Sequence, residues 1–163
     1  MKIDRDRTFH LTYCTNIHPG ETWEEVFANL QTYLLPLKQR LASDRPFGIG
    51  LRLAEVAARE LHLENNLKSF REWLDQNDLY VFTLNGFPYG RFHRQAVVAR
   101  PDKFSDSDVV DAERQIKDRV YAPDWSQPER LDYTLKLAEI LIALLPEGMD
   151  GGISTLPLSR SEE

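Results

Sequence analysis

Apolar and polar residues alternate along FHLTYCTNI, residues 9–17, which predicts a β-strand. The spacing then changes. Trp23, Phe27, Leu30, Leu34, Leu37 and Leu41 recur at three- and four-residue steps, predicting an amphipathic helix over residues 22–42. Thr22 and Glu25 have the capping-box spacing that opens such a helix, and Pro36 is expected to kink it. FGIGLRL, residues 47–53, reads as a second strand. AEVAARELHL and NLKSFREWLDQ read as helices, with Phe70 and Leu74 one turn apart. LYVFTLN, residues 79–85, is a third strand. A helix is expected near residues 106–119, another at 128–145, and a fourth short strand in GGISTLPL, near residues 152–157.

Strands alternating with helices build right-handed βαβ units and a parallel sheet. The fold class is therefore α/β in a single domain over residues 1–163. An open doubly wound sheet and part of a (β/α) barrel both fit this order. No Gly-rich phosphate turn follows the first strand, which weakens a dinucleotide or nucleotide fold. A whole barrel takes about 250 residues, so this chain would supply four of its strands.

Alternation assigns faces. Phe9, Leu11 and Tyr13 share one side of the first strand; His10, Thr12, Cys14 and Asn16 share the other. In the second, Phe47, Ile49, Leu51 and Leu53 oppose Gly48, Gly50 and Arg52. In the third, Tyr80, Phe82 and Leu84 oppose Val81, Thr83 and Asn85. The large apolar face suits a cover of helices, and the small or polar face suits the inside of a barrel. On that reading Asn16, Arg52, Asn85 and Ser154 converge at the strand C-termini, where parallel α/β folds bind ligands. His10, Thr12 and Cys14, lying deeper, equally suit a hydrogen-bonded filling of the lumen.

The loop NGFPYGRFH, residues 85–93, adds Phe87, Tyr89 and Phe92, enough aromatics for an apolar wall beside a sugar or polyol. His93 and His18 are candidate metal ligands, general bases or hydrogen-bond donors to a hydroxyl there, though capped histidines on structural loops are the commoner case. His62 reads as a surface residue. Asp106 and Asp108 lack the EF-hand pattern and read as a solvated helix start. Cys14, the only cysteine, excludes an internal disulfide and a zinc ribbon, and reads as a small buried residue. The net charge of -6 argues against nucleic-acid or anionic-membrane binding. The N-terminus has no long apolar run, which makes a cytoplasmic protein the default expectation.

The segments TYCTNIHPGETW, GLRL, LYVFTLNGFPYGRFH, IKDRVYAPDW, ERLDYTLKLAEILIALLP and GGISTLPL, in this order, resemble the EboE metabolite-traffic family. That family is similar to the xylose-isomerase-like TIM barrels, which include sugar isomerases, epimerases and type-2 AP endonucleases. The resemblance covers nearly the whole chain. It implies the N-terminal four βα units of a TIM (β/α)8 barrel in a bacterial cytoplasmic protein that handles a secondary-metabolite precursor for export, beside a prenyltransferase-like membrane partner. It further implies a divalent metal ion (Mn, Mg or Zn) in a full-length barrel, with most of its carboxylate ligands on later strands; none is assignable here. RQAVVARPDKFSDSDVVDAERQ, between His93 and Ile116, is longer than the short link the family pattern suggests.

Three functions follow as expectations. The chain is a carrier of a small polar metabolite, with Asn16, His18, Arg52, Asn85, Phe87, Tyr89 and His93 as substrate-binding candidates. Alternatively it is a metal-dependent sugar isomerase or epimerase, or an inactive half-barrel with open edges that associates when expressed alone. A phosphodiester hydrolase, a fourth reading, is disfavoured by the negative charge.

Overall fold

A computed structural model describes residues 2–4, 8–88 and 123–155. Strands β1 (Lys2–Asp4) and β2 (Thr8–His10) pair antiparallel, with Ile3 opposite Phe9. Strand β3 (Thr12–Cys14) then opens a second sheet and runs into a short 3₁₀ turn, Thr15–Ile17. Helix α1 (Trp23–Asn29) continues through a π turn (Leu30–Leu34) into α2 (Leu35–Leu41). After these come β4 (Phe47–Arg52), α3 (Glu55–Leu61), α4 (Glu64–Gln76), β5 (Leu79–Asn85), α5 (Pro128–Leu144) and β6 (Gly152–Ser154).

The fold is α/β, with β3, β4, β5 and β6 parallel and adjacent in chain order. A doubly wound sheet reverses its order at a switch point; the strands among the described residues show no reversal. Right-handed crossovers that always step the same way leave their helices on one face. The core agrees: Val26, Leu30 and Leu34, then Ala57 and Leu61, Phe70 and Leu74, and Tyr133, Leu137 and Ile140 all pack into one cluster with Phe47, Ile49 and Leu51. No helix among the described residues is long and apolar enough to cross a membrane.

Several expectations change. The strand expected over residues 9–17 is split: residues 8–10 belong to the small hairpin, and only Thr12–Cys14 joins the parallel sheet. Phe9 and Leu11 therefore miss the helical cover and are 58% and 49% exposed. The Thr22–Glu25 capping box forms in full. Pro36, which has no N–H to donate, follows a π turn in which Leu35 N–H reaches back to the Leu30 carbonyl, so the helix runs on to Leu41. The helix expected near residues 106–119 lies outside the described residues.

The faces of β5 also differ from strict alternation. Ile49 pairs with Val81 but the next residue, Gly50, pairs with Thr83, so Phe82 is the extra residue of a β-bulge. Leu79, Val81 and Leu84 consequently lie in the helix-covered core. Tyr80 and Phe82 are the ones turned away from it: both ring systems pack on His10, at centroid distances of 5.7 and 4.9 Å. Placing Val81 on the small face and Tyr80 and Phe82 under the helices is thus corrected by one inserted residue.

Gly48 makes room for this arrangement. A Cβ there would stand 2.9 Å from Thr12 Cγ2 and 3.1 Å from the Tyr80 ring, whereas at Gly50 the nearest atom would be 3.5 Å away. Gly48→Ala is expected to destabilise the protein by about 1–3 kcal/mol through overpacking, and Gly50→Ala by less than about 1 kcal/mol. Urea unfolding of the two variants checks the contrast; equal losses would contradict it.

Candidate functional site

The C-terminal ends of the parallel strands carry the polar groups of interest. Asn85, the last residue of β5, is aligned with Arg52 on one side and Ser154 on the other. Its Oδ1 accepts from Ser154 Oγ at 2.6 Å, and its Nδ2 donates to Cys14 Sγ at 3.5 Å. Cys14 sits two strands away. The contact crosses β4, where Gly50, the partner of Cys14 in the register, presents no side chain. Asn85 thus ties β3, β5 and β6 into one polar row. Cys14 is exposed, not buried, because it lies on the strand face that the helices do not cover.

The turn after β5 stays against these ends. Gly86 N–H donates to the Ser154 carbonyl at 2.8 Å, and Phe87 N–H to the Asn85 carbonyl at 3.2 Å. Pro88 is buried, and its carbonyl accepts from Glu55 N–H at the uncapped start of α3. Phe87 is half-buried in this turn. Tyr89 and His93 lie outside the described residues.

Arg52 occupies a different environment. It is buried, its N–H donates to Thr15 Oγ1 at 2.7 Å, and its Nη1 donates to the Gly20 carbonyl at 3.1 Å. It therefore binds the β3–α1 loop to the end of β4. Burial lowers its pKa. With Thr15, His18, Pro19, Gly20, Val26 and Asn29 it encloses a cavity of about 10 Å³, room for one water at most. His18 hydrogen-bonds Tyr13 Oη through Nε2 and stacks on Tyr33 at 4.3 Å. Asn16 is half-buried in the 3₁₀ turn. Asn85, Ser154 and Cys14 thus form one cluster, and Arg52 and His18 line another; His62 pairs at the surface with Glu139, 2.7 Å away.

Two further residues join the strand ends from α5. Tyr133 Oη donates to the Leu53 carbonyl at 2.5 Å and is almost fully buried. Arg130 is 1% exposed; its Nη2 donates to the Gly86 carbonyl at 3.2 Å and to Thr155 Oγ1. Burial lowers the Arg130 pKa and strongly raises that of Tyr133, against the opposing pull of the Arg130 and Arg52 charges. Neither residue stood out as a candidate in the sequence. The available signal was position: Arg130 occupies the first slot of the stripe Tyr133, Leu137, Ile140 and Leu144, where an apolar residue belongs.

Among the described residues no group of three or more His, Cys, Asp or Glu side chains is placed to hold a metal ion. They do not fit a divalent metal centre, and no chemistry is assigned through one. What this end of the sheet offers is hydrogen bonding: an amide, a hydroxyl, a thiol and a buried guanidinium. Comparison with family models, with curated proteins and with solved structures finds no match.

Two outcomes follow. Arg52→Ala leaves Gly20 and the β3–α1 loop unheld and is expected to cost about 1–3 kcal/mol of stability, measured by urea unfolding. Tyr133 is neutral when buried, and its raised pKa means that its contribution is complete below the ordinary tyrosine pKa near 10 and is lost as pH rises above it. Thermal stability is therefore expected to fall above about pH 10, and less steeply in Tyr133→Phe; identical alkaline profiles would contradict this.

Proposed function

We propose that this chain binds a small polar metabolite at the C-terminal edge of its parallel sheet. The carrying observation is Asn85, bridged to Cys14 and Ser154 on a strand face free of core packing. Parallel α/β folds use this edge for ligands, because loops and strand-end side chains converge there. An amide with a neighbouring hydroxyl can exchange its internal hydrogen bonds for those of a ligand's hydroxyls.

The finer reading is that β3 to β6 are four βα units of a xylose-isomerase-like (β/α)8 barrel. The sequential strand order and the single helical face support it. The sequence resemblance to the EboE metabolite-traffic family supports a carrier in the cytoplasm that passes a precursor to a prenyltransferase-like membrane partner.

The test is a thermal-shift screen of the wild type against sugars, polyols and their derivatives, followed by calorimetry on any hit. Asn85→Ala is expected to keep the wild-type midpoint within a few degrees and to weaken binding about tenfold, the worth of about one to two hydrogen bonds. Unaltered affinity, or loss of folding with affinity retained in the remainder, would make Asn85 a structural residue.

A further inference from the structure

Arg130 has bonding capacity that the fold leaves unused. Nη2 alone ties the guanidinium to Gly86 and Thr155. Among the described residues, Nε and Nη1 have no hydrogen-bond partner, and no carboxylate forms an ion pair with the side chain. The cation instead lies over the Trp125 ring at 5.3 Å, with the Tyr133 ring at 5.9 Å. A buried charge without a counter-charge, and buried donors without acceptors, are both unfavourable, and each calls for an explanation. As a mere clamp between Gly86 and Thr155, Arg130 would need neither its charge nor its remaining N–H groups.

The same place is the N-terminus of a long helix. Arg130 lies in the first turn of α5, 17 residues long, whose N-cap Gln127 makes no side-chain capping bond. Pro128 has no N–H and the Arg130 N–H donates to the Gln127 carbonyl at 3.0 Å, so it is the helix dipole that favours negative charge at that end. The acidic groups nearby do not fill the role. Glu129 and Asp132 are exposed, and Asp124 accepts from Ser126 N–H at 2.9 Å and from Ser126 Oγ.

We propose that the Arg130 side chain, at the start of α5, binds an oxyanion, a carboxylate or phosphate group, of the metabolite that Asn85 contacts. This rests on the strand C-termini being the binding edge, and it makes the ligand an acid or a phosphate ester and not a neutral polyol. Trp125, whose ring centroid lies 5.3 Å from the guanidinium carbon, borders the cation on one side, and the unused donors take the anion.

The probes are inorganic phosphate and acetate, titrated at constant ionic strength against chloride, with calorimetry and tryptophan fluorescence as readouts. The wild type is expected to bind at least one of them saturably. Arg130→Gln is expected to weaken that binding at least tenfold, and Arg130→Lys to recover part of it. Lys68→Gln, which removes an exposed cation from α4, is expected to bind the simple anion as the wild type does, which separates the Arg130 contact from a general loss of positive charge. Saturation by only one probe identifies the group as carboxylate or phosphate. Absence of saturable binding to the wild type, or equal binding by folded Arg130→Gln, overturns the proposal and leaves the Asn85 reading to its own screen. If Arg130→Gln fails to fold, Trp125→Phe takes its place, with loss of the anion-dependent fluorescence change expected and an unchanged signal overturning the assignment.

Discussion

Strand β4 is buried along its whole length, yet from Phe47 to Leu51 it carries bulk on one face only. Phe47, Ile49 and Leu51 enter the helical core, while Gly48 and Gly50 on the other face leave almost nothing above the backbone. Everything else follows from that asymmetry. The helices must share one side, since the core they complete is there. Thr12 and Tyr80 can close over Gly48, and Asn85 can reach Cys14 past Gly50, only because no side chain intervenes. A branched residue at either glycine would separate the strands' polar groups or push the sheet off the helices.

The division also separates stability from recognition. The aliphatic residues under the helices supply the burial that holds the fold. The strand-end groups supply little of it: Asn85 is half-buried, and Cys14 and Ser154 are exposed. Arg52 and Arg130 stand between the two roles. Each is buried at a strand C-terminus and fastens a loop by donating to a backbone carbonyl, Gly20 for one and Gly86 for the other. Charged groups spend much of their hydration in such positions. Arg52 completes its environment within the β3–α1 loop, and Arg130 retains donors for something else.

Much of this was legible because it is local. The Thr22–Glu25 box, the stripe of α5 and the Phe-Gly-Ile-Gly-Leu alternation of β4 are all set by residues within one or two turns of each other. The position of Asn85 at the sheet edge follows from the same reasoning. The bulge at Phe82 was not legible, because YVFTL is apolar on both sides of the insertion and gives no break in pattern. Nor was the hairpin: FHLTYC alternates through Leu11 without interruption, and only pairing with Lys2–Asp4 divides it. Arg130 was hidden for the opposite reason, since a single cation in a strong apolar stripe reads as a helix end.

The central claim is that one face of the sheet holds the fold and the other is open at its C-terminal edge. Cys14, the single cysteine and a neighbour of Asn85, reports on it directly. The measurement is the rate at which a small aromatic disulfide labels that thiol in the native protein without denaturant. The account predicts complete modification of one thiol per chain, at a rate far above that of global unfolding and with the native fold retained. Labelling only as fast as the chain unfolds would contradict it, because Cys14 would then be enclosed and the face on which the site is built would be a second core.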